Sequence, residues 1–116
     1  MPFTVTERNA MLDARTYDSV SLHSALPNDS GSNELSGGTY ARATGLTFGA
    51  ASSGRRTCST QPVINVPGGA TVAYVGIWGG GTFRGYYDAV DEVYAGDGTY
   101  RVTGAGGAGN PYVELP

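Results

Sequence analysis

Lysine is absent from the chain, and all seven basic residues are arginines. A P-loop lysine, a Schiff-base lysine and a lysine general base are therefore excluded, and several enzyme classes go with them. Cys58 is the single cysteine, so no disulfide within the chain staples the fold and no cysteine-rich zinc site forms. A catalytic thiol needs a histidine and an electropositive setting, so Cys58 reads as a small half-buried or surface thiol. His23 is the single histidine, which leaves any metal site dependent on scattered carboxylates. No apolar run approaches the roughly 20 residues of a membrane span, and the start of the chain has Arg8 but no apolar signal stretch. The expectation is a soluble protein made in the cytoplasm. Positive charge is also scarce: the formal charge is −3 and the pI near 4.8, which speaks against nucleic acid as a partner.

What is present is glycine, tyrosine and short apolar alternation. The 116 residues suit one domain with one modest core, and nineteen glycines and six prolines imply many turns. Two parts are expected, an N-terminal arm with a short helix over 1–16 and a single β domain over 17–116. In "TERNAMLDAR", 6–15, Thr6 can cap a helix, Glu7 suits its first turn, and Ala10, Met11 and Ala14 make a short apolar stripe. A helix this short must dock on something, either its own domain or a neighbour.

From residue 17 onward the spacing predicts strands over 17–25, 44–51, 62–66, 71–78, 82–87, 98–104 and 111–115, separated by glycine, proline and asparagine turns. Gly79-Gly80-Gly81 reads as a hairpin turn. Residues 71–78 are apolar on both faces, which places them mid-sheet. The fold class expected is all-β, an antiparallel β-sandwich or jelly-roll-like barrel with one short N-terminal helix.

Several motifs invite chemistry that their surroundings do not sustain. "GAGGAG", 104–109, satisfies G-x-G-x-x-G, yet Asn110-Pro111 follows where a nucleotide-binding helix would continue, so a flexible loop is expected. His23 has Ser21 and Ser24 nearby but no G-x-S-x-G serine exists, so it reads as a hydrogen-bonded structural histidine. Asp88, Asp91, Glu92 and Asp97 could hold a cation, but the spacing of a calcium loop is missing and acidic turns at a rim account for them. No catalytic, cofactor or metal residues are assigned.

Trp78, Phe83, Tyr86, Tyr87 and Tyr94 fall within seventeen residues. Trp78 is expected in the core, and Phe83, Tyr86, Tyr87 and Tyr94 are the candidate partner contacts if they are exposed together. "NELSGGTYAR", 33–42, reads as a structural corner. Gly37-Gly38 can take the positive φ of a tight reversal, Glu34 and Arg42 then face each other across it, and Tyr40 lies over the start of the next strand. An exposed Glu34–Arg42 pair would contribute only about 0 to 1 kcal/mol, so it matters only if sheltered.

The stretch 20–51 resembles a motif of small tailed-phage virion proteins, "LHTA-P-G-NE-SGG-YAR", followed by "F-AA", "GIW" and "AGD" segments. The matching residues are Leu22, His23, Ala25, Pro27, Asn33, Glu34, Ser36, Gly37, Gly38, Tyr40, Ala41 and Arg42, then Phe48, Gly76-Ile77-Trp78 and Ala95-Gly96-Asp97. The segment between Trp78 and Ala95 and the tail 104–116 depart from the pattern. The resemblance implies a non-enzymatic structural protein of the virion, of the minor tail or fibre-like type, with capsid decoration as the alternative. It implies a homo-oligomer, a trimer expected, in contact with other tail or capsid proteins. A host-glycan-binding module using the aromatics with Asp88 or Asp91 is a further alternative.

Overall fold

A computed structural model describes residues 3–115, and it is mainly antiparallel β-structure with one α-helix. Helix α1 spans Val5–Asp13 rather than 6–15. Its cap is Thr4, not Thr6: Thr4 has extended backbone and its hydroxyl accepts from the Glu7 amide at 3.2 Å. The docking residue also differs from the expected stripe. Leu12 is buried, whereas Ala10 and Ala14 are exposed.

Arg56 anchors the carboxyl end of α1. Its guanidinium donates to the carbonyls of Leu12 at 3.3 Å and Arg15 at 2.8 Å, and to those of Phe48 and Gly49 at 3.0 and 2.8 Å. A cation belongs at that end of a helix, where unpaired carbonyls concentrate negative charge. Asn9 and Asp13 add acceptors for the Gly54 and Ala51 amides. The helix therefore docks on its own chain.

Seven strands follow: β1 Ser19–His23, β2 Arg55–Thr57, β3 Val63–Val66, β4 Thr71–Gly79, β5 Thr82–Val93, β6 Gly98–Arg101 and β7 Tyr112–Glu114. β4 lies between β1 and β5 in an antiparallel sheet, as its two apolar faces require. β2 pairs with β7 and β3 with β6, both antiparallel. The β4–β5 turn is Gly80-Gly81, with φ of 58° and 80°, closed by Gly79 opposite Thr82. Two successive positive φ values give the turn whose twist matches the strands.

Three expectations need correction. β5 does not end at Tyr87 but continues to Val93, because the β-branched Val90 and Val93 suit a strand and register shifts let Glu92 and Val93 pair with Val72 and Thr71. Residues 44–51 form no strand; Gly45 has a φ of 65°, and only Phe48 bridges, to Cys58. β2 was not anticipated, since two adjacent arginines carry no apolar alternation. It is held across the pair by Arg55, which binds Glu114 at 2.7 Å and lies 3.7 Å from the centre of the Tyr112 ring.

The core lies on one face of the β1–β4–β5 sheet. Val20, Leu22, Val75 and Ile77 join Ile64, Val66, Tyr100 and Val102 of the β3–β6 region in one apolar cluster that also encloses the free thiol of Cys58. At about 25 cal/mol per Å² this burial is the main force holding the sheet to the β3–β6 pair.

Candidate functional site

Alternation along β1 sends Val20 and Leu22 into the core and Ser21 and His23 to the opposite face. Those two polar side chains are nevertheless wholly buried. Residues 24–33 fold back over that face, pinned by Asn28, whose side-chain oxygen accepts from the amides of Ser30 and Ser32 at 3.0 and 3.2 Å. Gly31 sits against the aromatic rings beneath it; a Cβ there would lie 2.9 Å from both Trp78 and Phe83.

Every hydrogen-bond role in the buried cluster follows from its partners. The Trp78 indole can only donate, and it donates to Ser21 Oγ at 2.7 Å. The Ser32 carbonyl can only accept, so Nδ1 of the neutral His23 ring carries the hydrogen and Nε2 accepts the Ser21 hydroxyl proton, also at 2.7 Å. Nδ1 donates to that carbonyl at 2.8 Å. Both nitrogens of the imidazole are thereby satisfied. Burial pushes its pKa below the usual imidazole value, against smaller upward effects of the Ser32 carbonyl and Glu34. Ser21 and His23 have the separation of a nucleophile and its base, but full burial closes Ser21 Oγ to any substrate. The arrangement makes His23 a hydrogen-bonded structural histidine.

The 33–42 segment closes over the other edge of β1, with Glu34 bridging His23 and Ala43 bridging Val20. Gly37 and Gly38 have φ of 93° and 56°, the left-handed backbone expected of a tight reversal. Across it, Arg42 grips both oxygens of Glu34, with Nε to Oε2 and Nη2 to Oε1 each 2.8 Å. The same guanidinium lies 3.5 Å from the centre of the Trp78 ring. Tyr40 does not reach forward to a following strand. It lies back on β1, accepting from the Leu22 amide at 3.1 Å and donating to Glu34 Oε2 at 2.7 Å.

This pair is sheltered, with side chains 35% exposed for Arg42 and 20% for Glu34. A two-pronged, partly buried contact is stronger than the isolated surface pair considered above. Desolvation raises the Glu34 pKa, but hydrogen bonds from Arg42 and Tyr40 outweigh it and leave the carboxyl below its ordinary value. Burial raises the Tyr40 pKa, and its bond to Glu34 adds to the effect. Neither group is poised to exchange a proton near neutrality.

The candidate contact aromatics are not displayed together. Phe83 is half-buried, its ring centre 5.1 Å from that of Trp78 and 5.9 Å from that of His23. Tyr87 stacks on Tyr112 at 6.2 Å and donates to the Thr103 carbonyl at 2.6 Å. Tyr94 is buried and donates to the Thr99 carbonyl at 2.7 Å. Only Tyr86 of the four is exposed, edge-on to Tyr74. Strand geometry explains the split: Tyr86 faces Gly76 and Tyr87 faces Val75, on opposite sides of the sheet.

The acidic residues are likewise dispersed. Among the described residues no three metal-ligating side chains gather, and Asp97 accepts from the Gly68 amide at 2.8 Å. "GAGGAG" forms a glycine loop with a 3-10 turn at Ala105–Gly107, not the opening of an α-helix. One feature carried no local sequence signal: a groove of about 1050 Å³ between α1, β5 and β7. Its walls come from residues far apart in sequence, and no local pattern encodes such a meeting. Compared with protein-family models, curated proteins and solved structures, the chain matches none.

Proposed function

We propose that the chain is a non-enzymatic structural component of a tailed-phage virion, attached as a homo-oligomeric β domain to the tail, with capsid decoration as its rival within the same class. The supporting observation is a convergence. His23, Glu34, Gly37, Gly38, Tyr40, Arg42 and Trp78, which carry the resemblance to phage virion proteins, meet in one connected lock across β1 and β4. A set of residues that hold one another in place, with the single histidine buried, supports an architectural role.

The core enclosed between the β1–β4–β5 sheet and the β3–β6 pair supports a sandwich description. A glycan-binding role has less support, because Phe83, Tyr87 and Tyr94 turn inward and leave Tyr86 without a flat aromatic platform. The reading is tested by quantitative mass spectrometry of gradient-purified particles against the major capsid protein. A few copies per particle support a tail position and hundreds support decoration. Absence of the chain from particles refutes both.

A further inference from the structure

The groove between α1 and the sheet is lined chiefly by apolar side chains, among them Leu12, Tyr17, Ile77, Tyr87 and Tyr112. It opens above Gly85, where a Cβ would meet nothing within 4 Å. Arg15 and Arg84 stand exposed on its rim, and among the described residues neither forms an ion pair. Glu114, also at the rim, is already held by Arg55. The groove is thus an apolar trough with unbalanced positive charge.

The far end of β5 has the complementary character. Val93 is 76% exposed and Val90 54% exposed, and between them stand the exposed Asp91 and Glu92. An exposed tip in which two valines flank two acids matches an apolar trough bounded by arginines. Gly85 and Val93 sit opposite Ile77 and Thr71, six residues apart on β4, which puts them about 20 Å apart at the usual rise. One molecule can therefore fill a neighbour's groove and receive another's tip at the same time.

We propose that copies of this chain associate head to tail, with the Val90–Val93 tip of one seated in the α1–β5 groove of the next and Asp91 and Glu92 facing Arg15 and Arg84. Because the two patches differ, the contact generates a ring if the rotation closes and a filament if it does not. A symmetric pairing through the outer edge of β5 is opposed by that edge itself. Two register shifts bend the strand, and the Tyr100 hydroxyl donates to the Val90 carbonyl. The proposal rests on the assembly reading above, yet is tested apart from any particle.

The test is sedimentation of the purified full chain from about 1 μM to 1 mM, the range in which weak specific association is detected. The wild type is expected to associate, less strongly at high salt. Asp91→Arg with Glu92→Arg, and separately Arg15→Glu with Arg84→Glu, should each weaken association about tenfold or more, and an equimolar mixture of the two folded variants should associate again. Gly85→Val, which puts a side chain into the groove at a position where a Cβ meets no neighbour within 4 Å, should weaken association with an unchanged circular dichroism spectrum. A monomeric wild type, unimpaired association after tip reversal, or no recovery in the mixture overturns the proposal. A monomer in solution that is still present in particles refutes this contact alone, whereas an assembling chain absent from particles refutes the virion reading alone.

Discussion

The Arg42 guanidinium lies 3.5 Å from the centre of the Trp78 ring while it binds both oxygens of Glu34. A single cation therefore joins the 33–42 corner to the central strand of the sheet. Arg42→Ala should cost about 1 to 3 kcal/mol in urea unfolding, since it removes a two-pronged charged contact and a cation–π contact together. Arg42→Lys keeps the charge but not the planar fork, and should fall between alanine and wild type. Equal stability of lysine and wild type would show that the fork does not matter.

Two glycines on adjacent strands should respond in opposite ways. A Cβ at Gly76 would overlap Ser21 Oγ and His23 Nε2, so Gly76→Ala should destabilise by about 2 kcal/mol or more through the buried network. A Cβ at Gly85 meets open space, so Gly85→Ala should be neutral or stabilising by up to about 1 kcal/mol. Melting temperatures of the two variants measure the contrast directly.

The corner carries its own test at Gly38. Its φ is 56°, and a Cβ would stand 3.3 Å from that of Pro67. Gly38→Val combines a β-branched residue with left-handed backbone, and a loss of more than about 2 kcal/mol is expected. A fully folded, equally stable valine variant would contradict the description of 33–42 as a tight reversal.

Stability should fall toward acid through two groups, His23 and Glu34. His23 has a folded pKa below its ordinary value of 6.5, so on acidification the unfolded chain takes up a proton before the folded one does. Stability is then lost from about pH 6.5 down to the folded value, with a slope of up to about 1.4 kcal/mol per pH unit for one proton. Glu34 is lowered from 4.5, so its contribution is present above that pH and disappears as pH falls through the folded value. Denaturation midpoints of His23→Gln should lack the His23 contribution, and those of Glu34→Gln the Glu34 contribution.

Much of this was legible in the residues themselves. Alternation in 71–78 gave the central strand, consecutive glycines marked both reversals, and the eight-residue spacing brought Glu34 to Arg42. Whether the aromatics are exposed together is not legible along the chain, because Tyr86 and Tyr87 are neighbours in sequence yet face opposite sides of the sheet. The short β2 strand was missed because its pairing depends on Glu114 and Tyr112, some sixty residues away. The Trp78–Ser21–His23 relay is likewise a product of strand register, with Ser19 opposite Trp78 and Ser21 opposite Gly76. No spacing along the chain expresses that register.

Cryo-electron microscopy of intact purified particles tests the central claim most directly. The expected result is density that accepts this domain at repeated positions on the tail or capsid, with the 24–42 lock intact. Complete, infectious particles with no density for the chain would contradict the account.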